Sequence, residues 1–151
     1  MNRNYKYSKS SLAKIATVSV MLQEVCHEAM RIANMRKMHC PDFGISYGLR
    51  TRHEQFDLYK KGRSFDGFEW HVVDRSKVLT YRDGHVLKSS HQYAQAIDFF
   101  AYVDGKANYE PANMALIATC FMEAADNLGQ QFEWGGSFKS ISDGGHFEIK
   151  L

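Results

Sequence analysis

The stretch Ser89-Ser90-His91-Gln92-Tyr93-Ala94-Gln95-Ala96-Ile97-Asp98-Phe99-Phe100 passes from polar residues into an apolar run that contains one acid. Read as a β-strand from Ala94 to Val103, it places Ile97 and Phe99 on one face and Ala96, Asp98 and Phe100 on the other. A carboxylate among such neighbours is costly unless it is paired or metal-bound. Asp98 therefore requires a partner, and His91 stands seven residues upstream of it.

Working outward, Asp104-Gly105 reads as the turn that ends this strand. Pro111 then suits the first turn of a helix whose body is Met114 to Leu128 and whose stop is Gly129. Gln131 to Trp134, a Gly/Ser connection and a last strand from about Gly145 to Lys150 complete the chain. Upstream, with Ser10 or Ser11 as a cap, apolar residues recur at Leu12, Ile15, Met21, Leu22, Val25, Ala29 and Ile32. That is close to helical spacing, with a break near Thr17 to Ser19. Phe43, Ile45 and Tyr47 alternate as a short strand before Gly48, and Arg52 to Lys61 reads as a short helix. Gly62 to Ser90 reads as a long loop with a hairpin where Val78-Leu79-Thr80-Tyr81 precedes Asp83-Gly84, and loops of that length inside a compact domain are usually functional. The order implies an α+β fold, a small antiparallel sheet packed against helices, in one domain spanning 1–151.

Composition narrows the function classes. A chain of 151 residues buries roughly two-thirds of its unfolded surface, enough for one core. With 19 basic and 17 acidic side chains the net charge is +2, so electrostatics give no case for a nucleic-acid partner. Three cysteines, Cys26, Cys40 and Cys120, cannot all pair within the chain, which favours a reducing cytoplasm over a disulfide scaffold. The N-terminus carries Arg3, Lys6, Lys9 and Lys14, but no apolar run follows that would act as a signal peptide. The most apolar run, Met114 to Met122, is about half the ~20 residues of a membrane span.

A second motif, Asp143-Gly144-Gly145-His146-Phe147-Glu148-Ile149, sets acids on both sides of a histidine at the start of a strand. Alternation puts His146 and Glu148 on one face, and the glycines let the backbone bend so that Asp143 turns the same way. Together with His91 and Asp98 this makes two imidazoles and one carboxylate. That donor set fits an open catalytic zinc site, and equally a ferrous oxygenase. Asp143 or Glu148 is then placed to move a proton from a bound water. His27, His39, His53, His71 and His85 lack such surroundings and read as surface or helix residues. Cys26 and Cys120 fall on apolar helical faces as core thiols. Phe65, Phe68 and Trp70 read as a loop packed on the core, and Trp134 is a candidate for the cleft lining.

Ser-x-His with Ala-x-Asp at a seven-residue offset, joined to Asp-Gly-Gly-His-Phe-Glu, resembles the zinc peptidase family of D-alanyl-D-alanine carboxypeptidases and phage L-alanyl-D-glutamate endolysins. The single-domain length and the Asp-Gly-Gly-His form resemble the endolysin branch most. Leu22-Gln23-Glu24-Val25 and Gly48-Leu49-Arg50-Thr51 with Gln55 and Leu58-Tyr59 agree with it, whereas Phe65 to Lys88 is poorly covered. Ala94 departs from the glycine the family carries there. The resemblance implies that His91, Asp98 and His146 hold Zn2+, that Asp143 is the catalytic acid/base, and that Arg50 anchors the substrate carbonyl. Glu148 is the rival base, or a group that orients a ligand histidine; Gln55 and Ser89 stand near the site.

The implied activity is hydrolysis of the L-alanyl-D-glutamate bond in the stem peptide of bacterial peptidoglycan. The alternatives are a D,D-carboxypeptidase or dipeptidase on D-Ala-D-Ala, and an inactive zinc-bearing wall-binding module. The resemblance further implies a monomer without a separate cell-wall-binding domain or stable membrane association. Such a protein accumulates in the host cytoplasm and reaches the wall after a separate membrane-permeabilising partner acts.

Overall fold

The computed structural model describes residues 4–138 and 142–150. Arg3, counted above in the basic N-terminus, and 139–141 of the Gly/Ser connection lie outside them. Two helices open the chain: α1 (Lys9–Ile15), capped by the Ser8 hydroxyl on Ser11 N–H, and α2 (Val20–Met35), capped by Ser19 on Leu22 N–H. The expected break near Thr17 to Ser19 is therefore a second cap, which satisfies amide groups that the new helix leaves free. Leu22, Val25, Ala29, Ile32 and Ala33 line the buried stripe of α2.

Strand β1 (Asp42–Tyr47) follows, then α3 (Arg52–Tyr59), which starts with a reciprocal capping box between Thr51 and Glu54. A small hairpin, β2 (Arg63–Phe65) and β3 (Trp70–Val72), precedes β4 (Ala96–Val103), β5 (Lys106–Asn108), α4 (Pro111–Asn127), β6 (Gln131–Trp134) and β7 (His146–Lys150). The main sheet is antiparallel in the order β1-β4-β7-β6, with β5 also on β4. β4 is its centre: β1 pairs along one edge, while β7 at Ala96–Asp98 and β5 at Ala101–Val103 share the other.

α4 packs on one face of the sheet and α2 packs in turn on α4, within one hydrophobic core. Phe121 of α4 joins three strands, stacking on Phe99 at 5.2 Å, tilted against Phe147 at 5.3 Å and meeting Phe43 edge-on at 5.5 Å between ring centroids. Truncating a buried Phe of this kind typically costs ~3–5 kcal/mol. Cys26, Cys40 and Cys120 are all buried free thiols, with Sγ of Cys40 and Cys120 3.7 Å apart. Among the described residues no helix is long and apolar enough to cross a membrane.

Two boundaries differ from the sequence reading. Val78 to Tyr81 is not a strand; the hairpin lies earlier, at β2–β3, where Asp66 Oδ1 accepts from Phe68 N–H and Glu69 N–H and fixes the turn. Trp70 packs edge-on to Phe56 and against Phe65, but neither Trp70 nor Phe56 belongs to the core, and Phe65 and Phe68 are 52% and 90% exposed, so the three aromatics do not pack this loop on the core as expected. β4 begins at Ala96 instead of Ala94, because Ala94 closes a 3-10 turn, Ser90–Tyr93, in the left-handed region at φ 58° and ψ 28°.

An L-residue with a Cβ pays ~1–2 kcal/mol for that conformation. Glycine avoids the strain but gives back part of the gain through the entropy of its unfolded chain. Ala94→Gly is therefore expected to leave unfolding stability unchanged or to raise it by up to ~1 kcal/mol, and β-branched Ala94→Val to lower it. Urea unfolding checks both, and a destabilised glycine variant would contradict the account.

Candidate metal centre

The other face of the sheet carries the site. β4 and β7 pair so that Asp98 lies opposite His146, and His91 comes from the turn just before β4. His91 Nε2, Asp98 Oδ1 and His146 Nδ1 converge, at 3.2 Å for His91–Asp98, 3.2 Å for His91–His146 and 3.3 Å for His146–Asp98. Three donor atoms that close, with the two imidazoles buried and the carboxylate 21% exposed, form a set that could hold a metal ion.

The backbone explains the convergence. Gly145 lies against β4 so closely that a Cβ there would stand 2.7 Å from Phe99 O, and Phe99 N–H donates to Gly145 O at 2.7 Å. A Cβ at Gly135 would meet Asp143 O at 2.2 Å. Neither Gly144 nor Gly145 has positive φ, so close approach, and not the bending freedom expected from sequence, is what requires a glycine at Gly145. Trp134 does not line the cleft; its indole N–H donates to Gly144 O at 2.9 Å and braces the turn from behind.

Each donor is oriented by a further contact. His91 Nδ1 lies 2.8 Å from Gly48 O; as donor there it leaves the Nε2 lone pair facing the cluster. Glu148 sits 3.7 Å from His146 Nε2, on the side away from the cluster, so it faces the outer edge of that ring. Arg50, 9% exposed, donates through Nη2 to Asp98 Oδ2 at 3.4 Å and through Nη1 to Gln55 Oε1 at 3.0 Å, while its buried Nε has no partner among the described residues. Ser89 accepts from His91 N–H, and Gln92 returns a bond to Ser89 N–H. Phe138 packs at 5.5 Å from the His146 ring.

All six residues singled out from sequence line one cavity of about 840 Å³: Arg50, His91, Asp98, Asp143, His146 and Glu148. Sequence reading missed Gly48, which acts through a carbonyl and so leaves no side-chain signal. It also missed Gln92, although Ser89-x-x-Gln92 is a legible capping box.

Charge is distributed unevenly. Burial disfavours the Asp98 carboxylate, but His146 and His91 more than offset this and hold its carboxyl well below the usual range. Burial likewise opposes charge on Glu148, yet the neighbouring His146 and Ser90 side chains outweigh it and bring its pKa down to about 2. Asp143 moves the other way: burial, then the nearby Asp98 charge, raises it. Of the two carboxyls, Asp143 is thus the one whose surroundings favour the protonated form.

Comparison with known proteins places this geometry. The sequence model of the phage L-alanyl-D-glutamate peptidase family matches residues 3–150. The chain belongs to that family and is a peptide hydrolase. It is 28% identical to the L-alanyl-D-glutamate peptidase of Escherichia phage T5 over 148 residues, covering 97% of this chain and 90% of that one. It is 32% identical over 119 residues to the Bacillus subtilis peptidoglycan L-alanyl-D-glutamate endopeptidase CwlK, covering 72% of this chain and 60% of the relative. The crystal structure of the Serratia marcescens L-Ala D-Glu endopeptidase ChiX superposes with TM-score 0.70 at 25% identity, over 96% of this chain and 90% of that one. The vancomycin-resistance D,D-pentapeptidase VanY, crystallised with Zn(II), shares the fold at TM-score 0.54 and 14% identity, over 87% and 72% of the two chains.

The cluster sets a pH dependence. Burial disfavours charge on His146, but Asp98 and Glu148 outweigh it and raise its pKa to about 9 in the metal-free protein. This raised pKa stabilises the metal-free fold below the ordinary histidine range, and the contribution is lost as pH rises through about 9. A metal ion must displace that proton from Nδ1, so apparent affinity should climb with pH up to the same point, by at most ~tenfold per unit. Calorimetry at pH 7 in two buffers of different ionisation heat should read about one proton released per ion bound. A reading of no proton would contradict this assignment.

Proposed function

We propose that this chain is a zinc endopeptidase that cuts the L-alanyl-D-glutamate bond in the stem peptide of bacterial peptidoglycan. The observation that carries the reading is the convergence of His91 Nε2, Asp98 Oδ1 and His146 Nδ1 beside Asp143 in one open cavity, in a chain of this family. The donor set suits zinc: two neutral imidazoles and one carboxylate, each with an outer partner, and space in the cavity for water and a peptide. When bound, zinc acidifies water toward a pKa of ~7 and polarises a peptide carbonyl.

The chain's own residues do the rest. Asp143, its carboxyl raised by burial and by Asp98, accepts the water proton as the water attacks and returns it to the leaving amine. Arg50 steadies Asp98 Oδ2 and retains Nη protons for the oxyanion that develops on the substrate carbonyl. Glu148 keeps His146 in the tautomer that offers Nδ1. The chain acts as one catalytic unit and a monomer, and a separate membrane-permeabilising protein gives it access to the wall from the host cytoplasm.

Substitution separates these roles. Asp143→Ala should retain metal and lose on the order of 10²–10⁴-fold in kcat. Glu148→Gln should weaken metal affinity ~10–100-fold, and His146→Ala should abolish stoichiometric metal. Metal content by mass spectrometry of the proteins, and digestion of purified muropeptides, read both. A free L-alanyl end on the glycan fragment is the expected product. Loss of terminal D-alanine, or full activity in Asp143→Ala with none in Glu148→Gln, would overturn the reading.

A further inference from the structure

The segment between β3 and the Ser90–Tyr93 turn has no counterpart in the roles assigned above, yet Leu79 to Arg82, Leu87 and Lys88 form one wall of the catalytic cavity. It is a fixed wall. Gln55, 1% exposed, donates Nε2 to Arg82 O at 2.8 Å while its Oε1 accepts from Arg50. Gln92 Nε2 donates to Gly84 O at 3.0 Å, and Arg63 Nη1 to Thr80 O at 3.0 Å. Asp83 Oδ1 accepts from the N–H groups of His85, Val86 and Leu87 at 2.9–3.0 Å, so its charge is spent inside the loop.

The cavity is electrically two-sided. Asp98, Asp143, Glu148 and Glu133 lie on the strand side. Two of the lining cations are engaged, Arg50 with Asp98 and Lys150 with Glu133 at 2.8 Å. Arg82 and Lys88 stand on the opposite wall with no carboxylate within ion-pair distance among the described residues. Arg82 Nη1 donates to the Lys88 carbonyl at 2.9 Å, which ties the two residues together, and the Lys88 ammonium lies 5.9 Å from the ring centroid of Tyr93, another lining residue. That leaves Arg82 Nη2 and the Lys88 ammonium available to an anion.

A D-glutamyl residue carries two carboxyl groups and continues a chain through only one of them. A substrate cut between L-alanine and D-glutamate therefore brings a free carboxylate next to the scissile bond, where the acids of the strand side repel it. We propose that Arg82 and Lys88 form the subsite that binds this carboxylate, and so set the preference for an acidic residue after the cut. The inference rests on the function proposed above.

Two synthetic stem peptides test it, identical except that the free D-glutamyl carboxylate of one is an amide in the other. Initial rates give kcat/KM on each peptide. Wild-type protein should prefer the acid, Arg82→Gln and Lys88→Gln should each cut the acid-to-amide ratio on the order of tenfold, and the double variant should abolish it. Arg82→Lys, which keeps the charge, should keep most of the preference, and the ratio should fall with added salt. A wild-type enzyme that cuts both peptides equally, or variants that lose both activities in parallel, would overturn the subsite alone. A wild-type enzyme that cuts neither peptide at the alanyl bond would overturn the proposed function and the subsite with it.

Discussion

Burying a carboxylate in the middle of a sheet costs several kcal/mol unless other groups replace the water it loses. Asp98 incurs that cost at the centre of β4, and much of the molecule is arranged around offsetting it. Oδ1 meets two imidazoles and Oδ2 a buried guanidinium. The imidazoles in turn depend on a glycine carbonyl after β1 and on a glutamate of β7. The guanidinium depends on Gln55 of α3. Removing any one member leaves a charge or a donor buried without a partner, so the cluster behaves as a unit.

The same chain of contacts ties the substrate cavity to the cluster. From Asp98 it passes through Arg50 to Gln55, and from Gln55 to the Arg82 carbonyl in the cavity wall. A wall held through side chains to the buried Asp98 carboxylate keeps its shape without regular secondary structure of its own. Preorganisation of this kind lets polar groups act on a substrate without first being reoriented.

Much of this was legible in the residues. Helical periodicity gave the body of α2, and with Pro111 and the Gly129 stop it gave α4 almost to its ends, because those helices bury one stripe on a core; the first cap is Ser8, not the expected Ser10 or Ser11, and α2 has its own cap in Ser19. An acid set in an apolar strand gave Asp98, and the two acids around His146 gave the second half of the site. The cavity wall was not legible: Val78 to Tyr81 has strand composition, but Arg63 and Gln55 from elsewhere in the chain take its polar groups, and no local pattern records them. Ala94 was read as strand because nothing in its side chain announces positive φ. The resemblance already favoured Asp143 over Glu148, and what the residues could not show is that Glu148 lies at the outer edge of His146, 3.7 Å from Nε2.

The central claim is that one zinc ion is held by His91, Asp98 and His146. X-ray absorption at the zinc edge on the reconstituted protein tests it most directly. The account predicts one ion per chain with two imidazole nitrogens and oxygen donors at ~2.0–2.2 Å, and loss of the stoichiometric zinc signal in His91→Ala as in His146→Ala. A sulfur donor near ~2.3 Å, or an unchanged spectrum in that variant, would contradict it.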